Sequence, residues 1–337
     1  MIITRTPFRI TLGGGGTDLP SFYKDHGGFV LTMSIDKYIY VTLKPSLLEK
    51  NIRLQYLQSE NVISAEHLLH DRARSALLLH KIHKSMEISS IGDLPSKSGL
   101  GSSGSYLVGL LNALRNYKRI STEPTILAEE ACKIEIDMLK EPVGKQDQYI
   151  AAHGGIKILD ISRSGKVFVS SPPVSISAMR EFLSNVHIYY TGVLRSASDI
   201  LSEQNKVSIK VVDNLKKIKD LGYQFVDTVQ SQNFDEFGLL LDEHWNFKKK
   251  LSNKISMPKI DALYDDVKKD FGVLGGKIIG AGGGGFIMLY CPKKHLELEK
   301  FMEGIGFPRL HYFVDYEGSK NIAEFGSFRS QNINHIE

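Results

Sequence analysis

The chain has 337 residues, 42% hydrophobic and 24% charged, with a formal net charge of +4. That suits two domains or one large one with a sizeable core, and requires no disordered tail beyond Gln331–Glu337. Its basic runs, Lys216–Lys219 and Lys248–Lys250, are too short to argue for nucleic acid, and no apolar run approaches the ~20 residues of a membrane helix. Two cysteines, Cys132 and Cys291, lack metal-ligand spacing and fit a reducing compartment. The opening MIITRTPFRITLGGGG has no apolar signal core. A soluble cytoplasmic protein is expected, with no nucleic-acid or membrane partner.

Met1–Leu12 reads as a strand in which Phe8, Ile10 and Leu12 alternate with polar positions. Arg9 has the opposite parity and points away from the core those residues face. Alone it would pass for a solvated strand arginine. The strand runs into Gly13-Gly14-Gly15-Gly16-Thr17-Asp18. Four glycines make an entropically poor structural turn and suit backbone passing close to a ligand. Asp18 after them can accept hydrogen bonds from sugar hydroxyls. Gly28–Lys44 predicts two strands, Ile52–Tyr56 another, and Leu68–Met86 a helix. His67, His70, His80 and His83 sit in no metal-ligand pattern and read as surface or satisfied side chains.

Asp93–Leu114, DLPSKSGLGSSGSYLVGLLNAL, is a polar Gly/Ser loop running into a helix that is apolar from Tyr106. Ser102 or Ser103 is the expected N-cap. Free N–H groups and the helix dipole make such a start an anion site, with a phosphate chain as the preferred ligand. Gly99, Gly101 and Gly104 also match G-x-G-x-x-G. The preceding residues are polar and include Pro95, which excludes the dinucleotide fingerprint, and no G-x-x-x-x-G-K-[ST] occurs. A plain cap with a flexible loop would share these features.

Pro124–Leu139 predicts a helix capped by Ser121 or Thr122, with Glu135 set among Ile134, Ile136 and Leu139. Next comes GKQDQY, Gly144–Tyr149. A lysine, an aspartate and two glutamines between glycine and small residues read as a site-lining turn and helix start; a solvated helix start is the plainer alternative. The composition shift at SSPPV, 170–174, marks a boundary. Beyond it the pattern gives strand Val186–Tyr190 and helices Ser198–Val212, Asn214–Gln230, Asp235–Leu251 and Lys259–Phe271. Strands Lys277–Ala281 and Phe286–Tyr290 flank the glycine run Gly282–Gly285. Helix His295–Ile305 and strand Leu310–Val314 close the chain. Gly280, Gly282 and Gly285 repeat G-x-G-x-x-G, but the strand FIMLY comes next, so this is no nucleotide fingerprint. Trp245 reads as core.

Three glycine motifs in this order resemble the GHMP kinase superfamily. They are Pro7-x-Arg9 leading to Gly13–Asp18, then Gly99-Leu100-Gly101-Ser102-Ser103-Gly104, then Gly280-Ala281-Gly282-Gly283-Gly284-Gly285-Phe286. The resemblance spans nearly the whole chain. It implies an α+β, two-domain fold: an N-terminal ribosomal-S5-like α/β domain over 1–172 and a C-terminal ferredoxin-like α+β domain over 173–337. It implies an ATP-dependent sugar kinase with Mg²⁺. Ser98–Gly104 would hold the ATP phosphates, and Ser103 and Glu135 the metal. Asp147 would face the acceptor hydroxyl, with Arg9 stabilising charge there. Gly15, Gly16, Thr17, Asp18, Lys145, Gln148, Arg195, Gly283 and Gly284 would bind substrate. Galactokinases carry Glu-His before Thr-Asp where this chain has Gly15-Gly16, which argues against galactose. GGGGTDLPSFY, GKQDQY and GGGGF are most similar to the bacterial D-glycero-D-manno-heptose 7-phosphate kinases, and fucokinases share much of the pattern. A phosphate already on the sugar needs its own cation: Lys145, Arg195 or Lys248–Lys250. A non-catalytic sugar-binding regulator, or the superfamily's decarboxylase branch, are the other readings. A homodimer is left open.

Overall fold

A computed structural model describes residues 1–193 and 208–326. Strand β1 (Ile2–Gly13) leads through the first glycine run to helix α1 (Pro20–His26). Strand β2 (Gly28–Pro45) is one strand of 18 residues, not two. Strands β3 (Ile52–Gln55) and β4 (Ser59–Val62) come next. The helix expected over Leu68–Met86 is shorter. Helix α2 covers Asp71–Leu79; Lys81 and Ser85 then take φ of 54° and 60°, and Met86 opens strand β5 (Met86–Gly92).

Helix α3 (Ser102–Tyr117) is the central helix of the first half, buried without a break from Gly104 to Leu114. Helix α4 (Pro124–Cys132) continues into a π-helical turn, Lys133–Met138. Its N-cap position is Glu123, with no side-chain bond, so neither Ser121 nor Thr122 caps it. Helix α5 (Gln146–His153) and strands β6 (Ile156–Ile161) and β7 (Val167–Ser170) complete this half.

The second half holds helix α6 (Ile176–Ser184), strand β8 (Val186–Tyr190), and helices α7 (Ile209–Gln230), α8 (Phe234–Lys249) and α9 (Pro258–Phe271). Of the helix expected over Ser198–Val212, the part before residue 208 lies outside the described residues. Residues 209–212 belong to α7, which is continuous through Asn214 and longer than expected. Strands β9 (Gly275–Ile278) and β10 (Phe286–Tyr290) and helix α10 (His295–Gly304) come next. Leu310–Val314 forms no strand. Its neighbourhood makes isolated bridges only, Ile35 to Val314 and Tyr189 to Arg309. The last strand is β11 (Lys320–Glu324).

Two sheets result. The larger runs β11-β1-β2-β5-β3-β4, with β6 and β7 added beside the first half of β2. Its one parallel pair is β3 with β5. The smaller runs β8-β10-β9. Strand β11 pairs with β1, so the chain beyond the expected 172/173 boundary returns to the first sheet. Helices α2 to α5 cover the larger sheet around Leu107, Leu110, Leu111 and Leu114. Phe8, Ile10 and Leu12 of β1 pack instead with Phe182, Phe225, Phe237 and Met288 of the second half. The parity of β1 therefore sets one face into this core and leaves Arg9 and Thr11 on the other. Trp245 is core, 1% exposed. No described helix is long and apolar enough to cross a membrane.

Candidate active site

A cavity of about 1130 Å³ opens where β1, the loop before α3, the start of α5, α8 and the third glycine run meet. Arg9 reaches into it from β1. Its Nε donates to Asp147 Oδ1 at 2.7 Å and its Nη2 to Asp147 Oδ2 at 3.0 Å. Its Nη1 donates to the Gly99 carbonyl at 2.6 Å. The backbone N–H of Arg9 donates to Leu100 O at 3.0 Å. One arginine thus ties β1, the Gly/Ser loop and α5 together. The Arg9 side chain is only 6% exposed and that of Asp147 24%, so the free face of the pair is the carboxylate's.

Asp147 stands at the mouth of α3. A Cβ on Gly104 would lie 2.8 Å from Asp147 Cβ. Gly101 is the N-cap of α3, at φ 80° and ψ 25°, and a Cβ there would press on Arg9 Cγ at 3.0 Å and Asp147 Cγ at 3.3 Å. Neither Ser102 nor Ser103 caps the helix; both belong to its first turn and line the cavity. The first N–H groups of this 16-residue helix have no side-chain cap and point to the cavity beside Arg9, which makes an anion site.

On the other side lie Thr11, Gly15, Gly16, Asp18 and Gln146. Thr11 Oγ1 donates to Gln146 Oε1 at 2.6 Å. The Asp18 carboxylate is occupied: it accepts from the Gln146 N–H at 3.0 Å and the Gly16 N–H at 3.1 Å. Burial pushes its carboxyl above the ordinary range, against the pull of the Gln146 hydrogen bond. Thr17 does not line the cavity. Its hydroxyl lies 2.8 Å from both Gly14 O and Phe29 O, shares its one hydrogen between them, and holds the loop. The glycine run is mixed in the same way. Gly15 and Gly16 face the cavity, while Gly13 packs on the Phe225 ring.

Other expected site residues lie elsewhere. Ser98, Leu100 and Gly104 are buried behind the loop, and Gly283 and Gly284 pack on Ile255 and Val193. Lys145 donates to Gly165 O at 2.7 Å and pairs with Glu129 at 3.3 Å, away from the cavity. Gln148 is buried and donates to Glu135. Arg195 lies outside the described residues. Glu135, 1% exposed, is held by Arg72 Nε at 2.8 Å. Arg72 also pairs with Glu141, and these two carboxylates outweigh burial and keep its guanidinium above its ordinary pKa. Ser103 lines the cavity, and Glu135 lies behind Arg72, which lines it too. Among the described residues no cluster of three His, Cys, Asp or Glu offers a metal site of its own.

Sequence reasoning missed Arg72 and Lys277 and weighed Lys248 only as one of a run. All three line the cavity, with His244. Burial, with Arg9 adding to it, brings the Lys248 ammonium down from 10.5 to about 7. Between those values the unfolded chain keeps a proton that the folded lysine has lost, so this group adds stability as pH rises from about 7 towards 10.5. Thermal melts at pH 7 and pH 9 check it: wild type gains on Lys248→Met at the higher pH. Parallel shifts would mean that Lys248 stays charged throughout.

Comparison with known proteins agrees with this arrangement. The model of the GHMP kinases N terminal domain matches residues 64–155, and that of the GHMP kinases C terminal domain matches 225–300. The chain is 28% identical over 317 residues to the D-glycero-alpha-D-manno-heptose 7-phosphate kinase of Campylobacter jejuni, covering 89% of this chain and 92% of that one. It is 24% identical to the L-fucokinase/L-fucose-1-P guanylyltransferase of Bacteroides fragilis, over 91% of this chain but 37% of that one. The crystal structure of a D-glycero-D-manno-heptose 1-phosphate kinase from Bacteroides thetaiotaomicron superposes with a TM-score of 0.79 at 22% identity, over 97% of this chain and 100% of that one. Both halves of the two-domain architecture are present in order on one α+β chain, which belongs to the GHMP kinases as an ATP-dependent phosphotransferase acting on sugars.

Proposed function

We propose that the chain phosphorylates the anomeric hydroxyl of D-glycero-D-manno-heptose 7-phosphate to give the 1,7-bisphosphate, a step towards GDP-heptose for surface polysaccharide. The observation that carries this is the likeness to the Campylobacter jejuni heptose 7-phosphate kinase over about nine-tenths of both chains. ATP as the donor makes the cytoplasm the working compartment.

In this reading the start of α3, with Gly99, Gly101, Ser102 and Ser103, receives the ATP phosphates. The sugar lies towards Thr11, Gly15, Gly16 and Gln146. Asp147 orients the O1 hydroxyl and accepts its proton. Arg9 holds it bidentately in place, and an anomeric hydroxyl, more acidic than an ordinary alcohol, asks little of the base. Arg9 neutralises charge on the equatorial oxygens of the transferring group. Asp18 acts indirectly, by fixing the first turn of α5. Mg²⁺ would accompany the nucleotide at the start of α3, with Ser103 as one protein ligand and Glu135 as the other. Glu135→Gln checks this, and the variant should need more Mg²⁺. Removing the charged partner of a mostly buried arginine should also cost about 2 kcal/mol and lower the melting temperature. A variant that melts lower but keeps the Mg²⁺ requirement of wild type removes Glu135 as a ligand.

The test of the function is a coupled ADP assay over heptose 7-phosphate, unphosphorylated heptose, L-fucose and D-galactose. Turnover highest on heptose 7-phosphate is expected. Highest turnover on L-fucose would favour the second reading, motivated by the Bacteroides fragilis fucokinase likeness. No ADP from any sugar would leave a binding protein.

A further inference from the structure

Helix α8 sets His244 and Lys248 one turn apart, on one face. Lys277 of β9 stands beside them. All three are buried and all three line the cavity. Lys248 Nζ donates to Ile278 O at 2.8 Å and to Gly280 O at 2.6 Å. Lys277 Nζ donates to Leu12 O at 2.8 Å. Neither lysine has a carboxylate partner among the described residues. An ammonium has three donors, so one on Lys248 and two on Lys277 are left over. Both ring nitrogens of His244 are buried without a hydrogen-bond partner among the described residues.

The charge around them has one sign. Arg9 acts on Lys248, Arg9 and Lys248 act on Lys277, and the two lysines act on His244. Of the carboxylates lining the cavity, Asp147 is committed to Arg9 and Asp18 to the Gln146 and Gly16 N–H groups. Burial and mutual repulsion oppose charge on these lysines, and an anion bound against their spare donors would restore it. A phosphate group matches them: it carries negative charge and several acceptor oxygens on one small centre. The location narrows which phosphate. Lys277 is anchored on Leu12, at the foot of the glycine run that leads to Gly15, Gly16 and Asp18. Lys248 is anchored on Gly280 O, beside Gly99 of the loop before α3, so the acceptor assignment rests on Lys277.

We propose that Lys248, Lys277 and His244 form a phosphate-monoester subsite for the acceptor, which selects a sugar that already carries a phosphate. This rests on the reading of the chain as a kinase of a sugar phosphate, and it moves the second cation site away from Lys145. The alternative source of the same chemistry is the terminal phosphate of the nucleotide.

Calorimetric titration separates the two. Wild type, Lys277→Met and Lys248→Met are titrated with heptose 7-phosphate, unphosphorylated heptose and ADP, with melts to confirm folding. In the variants the preference for the phosphorylated heptose over the unphosphorylated one should fall at least tenfold. A preference that stays intact, or equal losses for both sugars, overturns the subsite. Weakening confined to ADP assigns the cluster to the nucleotide and overturns the acceptor assignment. Should either variant fail to fold, the wild type answers: ¹⁵N resonances of the His244 ring move with heptose 7-phosphate and not with heptose. An unmoved ring overturns the proposal. If wild type binds neither heptose, the heptose reading has failed on its own. The subsite is then read with D-mannose 6-phosphate against D-mannose, where equal binding overturns it.

Discussion

In a coupled ADP assay Asp147→Asn turns over at least about a hundredfold more slowly than wild type, the scale of a lost transition-state contact, while ADP binds within about threefold. Asparagine keeps the size of the side chain. It turns one of two acceptors towards Arg9 into a donor, and so breaks half of the bidentate pair. It also removes the only group on the free face of the pair that can take a proton. Arg9→Met produces a similar loss for a linked reason. It deprives Asp147 of its counter-charge and unties the Gly99 carbonyl from β1. The two residues act as one unit, so the double variant should be no slower than the slower single variant. Additive losses would mean that each contributes separately, and near-wild-type turnover in either removes it from the chemistry.

The second large effect falls on Gly285. It has φ 81°, and a Cβ there would lie 2.1 Å from the Ser98 carbonyl oxygen. Gly285→Ala meets two penalties. The left-handed backbone costs roughly 1–2 kcal/mol. The clash is with main chain, which cannot rotate away as a side chain would, so the third glycine run must draw back from the loop before α3. A total of about 3 kcal/mol is expected, seen as a melting temperature several degrees lower, with ADP binding weakened at least about tenfold because Ser98 opens that loop. Gly272→Ala is the control. It shares a positive φ, 69°, with nothing within 4 Å of its Cβ. It should lose only about 1 kcal/mol. Equal effects in the two variants would reduce the argument to backbone strain and dismiss the close approach.

Phe286–Tyr290 was legible to the residue, since an unbroken β-forming run between a glycine run and Pro292 admits little else. Arg9 was legible by parity. The pairing that makes it a candidate joins residues 138 apart, and only tertiary structure supplies that. The end of α2 was not legible, because the turn at Lys81 and Ser85 uses neither glycine nor proline. Leu310–Val314 carries a β-like apolar run and forms no strand. Lys320–Glu324, KNIAE, carries no such signal and forms one, because an exposed edge strand is defined by its partner rather than by alternation. Lys248 and Lys277 escaped for a related reason. A lysine in a strand or helix looks solvated until the fold buries it.

The pairing of β11 with β1 bears on how the molecule is made. The strand that covers the outer rim of β1 is translated some 318 residues after it, counting from Ile2 to Lys320. At about 5–20 residues per second that is about 15–60 s. For that interval a hydrogen-bonding margin at the heart of the nascent protein stays open to any passing extended segment. Completion of the larger sheet therefore waits on the synthesis of that last strand, whatever the order in which the helices form.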